Sequence, residues 1–144
     1  DINPENIEFE VTESAYLENF TLSNKFFRRI GNMGCAIALD DFGTGYSSLS
    51  YLTQINIDTL KVDRQFVMEI QTSERSRLVT GAIIDLAKRL SLSVCAEGIE
   101  NLEQWNYLRE HGCDNVQGFM FSKPIPLSEL TCSPSHYSDS SFSV

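Results

Sequence analysis

Four short apolar segments recur along this chain, and each runs into acidic residues at its carboxyl end. Glu10 and Glu13 close Ile7–Thr12, Asp40 and Asp41 close Ala36–Leu39, and Asp63 follows Thr59–Val62. Glu97 and Glu100 follow Ser93–Ala96. Helical periodicity fills the spaces between. Leu22, Phe26, Ile30 and Met33 make one stripe, with Gly34 as a C-terminal cap. Ser47–Leu52 can start a helix, and Ser73 caps a long one striped by Val79, Ala82, Ile83, Leu86, Ala87 and Leu90. Leu102, Trp105 and Leu108 mark another, ending at His111–Gly112. A last strand is expected over Asn115–Phe121, stopped by Lys123-Pro124-Ile125-Pro126. Alternating strands and helices with short connections predict an α/β fold with a parallel sheet. The carboxyl ends of parallel strands share one face, so these acids are expected to converge. No glycine-rich dinucleotide fingerprint follows the first strand, which favours a barrel over an open doubly wound sheet.

The chain has 144 residues, 42% of them hydrophobic, which is one domain's worth with a packed core. Eleven Lys and Arg against 20 Asp and Glu give a net charge of −9. That excludes general nucleic-acid binding, which needs a basic surface to displace counterions. A single phosphate ligand is still compatible, because bound cations reverse the local field. Cys35, Cys95, Cys113 and Cys132 form no C-x-x-C pair and give no zinc signal. Cys95, inside an apolar segment, is expected to pack as a small hydrophobe. No apolar run approaches the ~18 residues of a membrane span, no leader pattern is legible, and a reducing cytoplasm is the expected setting. Six of the last 14 residues are serine, so residues 131–144 are expected to form a disordered tail behind a folded region over 1–130.

Converging carboxylates are hard oxygen donors suited to Mg²⁺, Mn²⁺ or Ca²⁺. Asp40 and Asp41 are adjacent at a strand end, and Gly43 and Gly45 loosen the loop that follows. The same string also reads as an ordinary strand-to-helix loop capped by Ser47. Glu10 and Glu13 can divide ligation and loop-holding between them, while Thr12 and Glu13 also read as helix caps. Lys61 interrupts an apolar strand and needs a partner: a phosphate, an attacking water, or an ion pair with Asp63 or Asp40. Glu97 can act as general base or metal ligand, and Glu100 or Asn101 suits the cap of the next helix. Gln117 offers an amide and Gly118 a place for close approach. His111 reads as a C-terminal helix cation. No Ser-His or Cys-His nucleophile arrangement is present.

Taken in order, five strings resemble the EAL domain, the family of bacterial cyclic di-GMP phosphodiesterases. They are Glu10-Val-Thr-Glu13-Ser14, Ala38-Leu-Asp-Asp-Phe-Gly-Thr-Gly45-Tyr-Ser-Ser-Leu49, Leu60-Lys-Val-Asp63-Arg-Gln-Phe66, Ala96-Glu-Gly-Ile-Glu100 and Gln117-Gly-Phe-Met-Phe-Ser-Lys-Pro124. The resemblance covers about residues 5–130. It implies a (β/α)₈ TIM-type barrel with two Mg²⁺ or Mn²⁺ ions that opens one phosphodiester bond of cyclic di-GMP. It implies that Glu10, Asp40, Asp41 and Glu97 ligate metal, with Glu97 also acting at the metal-bound water. Lys61 would position that water or the phosphate. Gln117, Asp63 and Glu100 would bind substrate or support the ligands, and Glu13, Gly43 and Gly45 would anchor the loop. The family's Glu-Ala-Leu segment and a ligating Asn lie on earlier strands and are not in this sequence. The chain therefore corresponds to about strands 4–8, and a complete barrel of ~250 residues would hold roughly 100 more. Two exposed sheet edges, or the family's dimer interface, would promote self-association, and regulatory domains are expected in a longer parent. A non-catalytic module binding cyclic di-GMP or a protein, and an inert fragment, are the rival expectations.

Overall fold

A computed structural model describes residues 2–43, 49–126 and 128. Gly45, the start of the expected Ser47–Leu52 helix and the Ser-rich tail lie outside the described residues. Five strands form one sheet: β1 (Glu8–Thr12), β2 (Ala36–Phe42), β3 (Thr59–Val62), β4 (Ser93–Glu97) and β5 (Asn115–Gln117). Every pairing is parallel, and the spatial order β1-β2-β3-β4-β5 is the sequence order. The order never doubles back, which is how strands run around a barrel and not how a doubly wound sheet is built.

Side chains alternate across a strand, so the register divides the sheet into two faces. Ile37, Leu39, Leu60, Val62, Val94 and Ala96 lie on the helix-covered face and are all buried. Burying Leu39 or Leu60 contributes about 1.5–3 kcal/mol each. The opposite face carries Glu8, Glu10, Ala38, Asp40, Thr59, Lys61, Ser93, Cys95, Glu97 and Gln117. It is small and polar, so the segments are apolar on one side rather than throughout.

The helices are α1 (Glu13–Glu18), α2 (Phe20–Asn32), α3 (Arg64–Met68), α4 (Glu74–Arg89) and α5 (Leu102–Glu110). α1 and α3 are additions to the expected set. Thr12 caps α1, its hydroxyl accepting from the Ala15 N–H at 3.3 Å, and Asn19 both ends it and caps α2. The α2 stripe is partly displaced: Ile30 is buried as its spacing suggests and Phe27 joins it, whereas Leu22, Phe26 and Met33 are exposed. Of the expected α4 stripe, Ala87 is buried and Ile83, Leu86 and Leu90 pack against the core, whereas Val79 and Ala82 are exposed and Thr80, Gly81 and Ile84 join the buried face. Ser73 caps α4 as its sequence suggests, and Asn101 forms a capping box with Gln104 on α5. Leu49–Thr53 is a 3₁₀ turn rather than an α-helix, and β5 stops at Gln117, well short of Phe121. Tyr16 stacks on Phe27 with ring centres 5.5 Å apart and meets Tyr51 at 5.6 Å. This aromatic group fixes α1, α2 and the 3₁₀ turn against the sheet, immediately behind the acidic face.

Candidate functional site

Lys61 lies near the carboxyl end of β3, with only 6% of its side chain exposed. Its ammonium is enclosed by three carboxylates from three other strands. Glu10 of β1 is 2.8 Å away, Glu97 of β4 2.7 Å, and Asp40 of β2 3.5 Å. Burial alone lowers a lysine's proton affinity, but the hydrogen bonds to Glu10 and Glu97, with the charges of Glu97 and Asp40, more than reverse it. Lys61 is therefore held protonated, its pKa above the ordinary lysine value. The ion pair foreseen with Asp40 forms, whereas Asp63 turns away: its carboxylate caps α3, accepting from the Gln65 N–H at 2.8 Å.

Glu10 reaches Lys61 by crossing β2 at its narrowest point. The registers align Glu10 with Ala38 and Ala38 with Thr59, and Ala38 is fully buried on the face that carries Lys61. A methyl side chain there leaves room for the glutamate to pass over. Asp40 and Asp41 are separated by a break in register between Leu39 and Phe42. Asp41 takes φ 56°, the left-handed region, and donates its N–H to Asp40 Oδ1 at 3.0 Å. Such a bulge turns two consecutive side chains away from simple alternation. Burial raises the Asp41 pKa above the usual carboxylate value, Asp40 and Asp63 raise it further, and Lys61 opposes them.

Glu13 is buried at the start of α1. It accepts from the Gly43 N–H at 3.3 Å and from the Tyr51 hydroxyl, so it ties the end of β2 to the 3₁₀ turn. Tyr51 has no sequence signal beyond its aromatic character. Glu100 pairs with Arg64 of α3 at 2.8 Å, a second contact the motifs do not reveal. Glu97 and Gln117 are register partners at the ends of β4 and β5. Beside them a cleft of about 170 Å³ is lined by Arg64, Glu97, Glu100, Gln117 and Phe119. Gly118 makes its close approach to the Ile99 backbone rather than to a ligand: a Cβ there would lie 2.1 Å from the Ile99 carbonyl oxygen. Cys95 is half-buried on the polar face, level with Lys61 and outside the hydrophobic core, so it does not pack as the small hydrophobe its segment suggests; burial and nearby carboxylates push its pKa up to about 11, which disfavours the thiolate. His111 is the C-cap of α5, its ring Nδ1 2.9 Å from the Tyr107 carbonyl oxygen.

Three carboxylates against one ammonium leave two uncompensated negative charges at the centre of this face. The donors are of the hard type that suits Mg²⁺ or Mn²⁺, and three of them reach one point. Their present spacing is that of an ammonium cage: among the described residues no three His, Cys, Asp or Glu side chains stand close enough together to grip a metal ion. Among those residues, too, no helix is long and apolar enough to cross a membrane.

The EAL domain family matches residues 1–124. The cyclic di-GMP phosphodiesterase NbdA of Pseudomonas aeruginosa is 46% identical over 124 residues, 86% of this chain and 16% of NbdA. The solved PaMucR phosphodiesterase in complex with c-di-GMP superposes with a TM-score of 0.86 at 36% identity, over 90% of this chain and 53% of that one. A manganese/cy-diGMP complex of Klebsiella pneumoniae BlrP1 gives 0.80 at 36% identity, covering 85% and 31%. The chain spans less than a fifth of the length of curated relatives such as NbdA.

Proposed function

The chain belongs to the EAL domain family, and from that membership we propose that it supplies strands 4–8 of a barrel that hydrolyses cyclic di-GMP to a linear dinucleotide. The observation that carries the proposal is the convergence of Glu10, Asp40 and Glu97 on one buried point at the carboxyl ends of their strands. In this reading Glu10, Asp40, Asp41 and Glu97 hold Mg²⁺ or Mn²⁺. Bound divalent ions would lower the pKa of a coordinated water and neutralise charge on the phosphate. Glu97, positioned by β4, accepts the proton of the attacking water. Lys61, kept cationic by its surroundings, orients that water or a phosphate oxygen.

Around this centre, Gln117 contributes an amide from β5, and the exposed ring of Phe119 offers a stacking face for a base. Glu13 supports the metal-side loop through Gly43, while Asp63 and Glu100 act by fixing α3 and Arg64. The net charge of −9 fits a small, metal-neutralised dinucleotide and not a polynucleotide. Self-association through the open edges of β1 and β5, a cytoplasmic setting and regulatory domains elsewhere in the parent protein belong to the same proposal.

The test is hydrolysis of cyclic di-GMP by the purified chain with Mg²⁺ or Mn²⁺, beside Glu97→Ala. Linear dinucleotide from the wild type and none from the variant is the expected result. Absence of product from both, with calorimetric binding of cyclic di-GMP retained, would replace the enzyme with a binding module.

A further inference from the structure

Lys61 is the one positive charge inside the cage, and its position has a consequence for metal loading that rests on the reading above. Its ammonium is almost wholly withdrawn from water and bonded to Glu10 and Glu97 at 2.8 and 2.7 Å. Those contacts take the place of its hydration shell. Mg²⁺ needs oxygens at about 2.0–2.1 Å. A cation gripping the same carboxylates would therefore lie within about 5 Å of the ammonium, and two centres of like charge would share one small, poorly hydrated space. The carboxylates are also held too far apart for a metal while they surround Nζ, consistent with the lack of any metal-spaced group among the described residues.

We propose that Lys61 is the resident counter-ion of this site, and that a divalent cation binds by displacing its ammonium from Glu10 and Glu97. Without metal, Lys61 keeps strongly repelling carboxylates assembled. With metal, the freed ammonium swings toward the side where the phosphate lies. Metal loading and the arming of Lys61 are thus one event.

Two measurements on the full chain, without nucleotide, test this. The first is Mn²⁺ affinity by calorimetry for the wild type and Lys61→Met. Removing a competing charge is expected to tighten binding about tenfold or more, on the scale of the 1–3 log units by which one neighbouring charge moves a proton's affinity. Equal or weaker binding by the variant overturns the inference and leaves the phosphodiesterase reading standing. A wild type that binds no Mn²⁺ overturns both. The second needs no variant: the Lys61 side-chain ¹⁵Nζ resonance, protected from solvent exchange in the metal-free chain, is expected to lose that protection as Mg²⁺ saturates. Undiminished protection at saturation overturns the displacement.

Discussion

Substituting Gly118 by alanine tests how the last strand is fastened beside the site. A Cβ at this position would lie 2.1 Å from the Ile99 carbonyl oxygen, 2.3 Å from its nitrogen and 2.7 Å from its carbonyl carbon. Gly118 lies outside the left-handed region, so the cost is one of space and not of φ. The obstacle is backbone and cannot rotate aside. To bring the shortest contact from 2.1 Å to the 3.0 Å floor of real Cβ contacts, the strands must part by about 0.9 Å. Two hydrogen bonds span that gap: Ile99 N–H to the Gln117 carbonyl at 3.2 Å, and Met120 N–H to the Ile99 carbonyl at 2.9 Å. Their loss costs about 2 kcal/mol together, and forced overpacking around the fully buried Ile99 adds about 1–3 kcal/mol. The sum, about 3–5 kcal/mol, is a large share of a typical domain's ~5–15 kcal/mol. Urea unfolding followed by circular dichroism would show the midpoint falling at an unchanged slope. A destabilisation below about 1 kcal/mol would refute the reasoning, because it would mean that β5 and the Ile99 segment separate freely.

Three further substitutions probe the acidic face and its support. Asp41→Asn keeps a residue that tolerates φ 56° while removing a charge whose folded-state pKa is raised by burial and by Asp40 and Asp63. The ionised form is disfavoured in the fold, so wild-type stability is greatest below the unfolded pKa of 3.8 and declines as pH rises through the higher folded value. The variant should then melt higher than the wild type at pH 7 in EDTA and match it below pH 3.8; no gain at pH 7 contradicts the assignment. Asp114→Ala strips the acceptor from the Val94 N–H, bonded at 2.8 Å, at a cost of about 1–2 kcal/mol at pH 7. Burial opposes the Asp114 charge, but Lys88 and the Val94 N–H lower its pKa overall, so the wild-type advantage should hold above 3.8 and fade as pH falls below it. An advantage that persists unchanged into strong acid would refute the role of the ionised group. Ala38→Leu fills the passage over β2, so it should cost about 1–3 kcal/mol in thermal melts and weaken Mn²⁺ binding by holding Glu10 away from Asp40 and Glu97. Wild-type Mn²⁺ affinity in a folded Ala38→Leu chain would show that Glu10 needs no such passage.

The sequence makes the strand-to-acid punctuation legible because both signals are local. A four- or five-residue apolar segment and the acid that follows it are set by neighbours in the chain. What the acids do to one another is not local. Lys61 announces that a lysine within an apolar strand must have a partner, and Asp40 is already within view; its two shorter contacts lie 51 residues before it at Glu10 and 36 after it at Glu97. Register decides that meeting, and register is decided by side chains on the other face of the sheet. Leu39, Leu60 and Val94 align because each needs burial against the helices, and the alignment that satisfies them sets Glu10, Lys61 and Glu97 at neighbouring levels on the polar face. The small size of Ala38 then determines that contact is possible across an intervening strand. The same logic explains the α2 stripe, where Phe27 joins Ile30 inside while Leu22 and Met33 stay outside. Both sets fit a helical period, and the choice belongs to the aromatic group of Tyr16 and Tyr51, which exists only after α1 has formed. That choice reaches the site: Tyr51, packed on Tyr16, is the residue whose hydroxyl holds Glu13, and Glu13 holds the Gly43 end of the loop beyond Asp41. The acidic face therefore depends on an aromatic core whose members carry no charge and match no motif, and a substitution at Tyr16 should disturb the site through Tyr51 and Glu13 without touching any carboxylate.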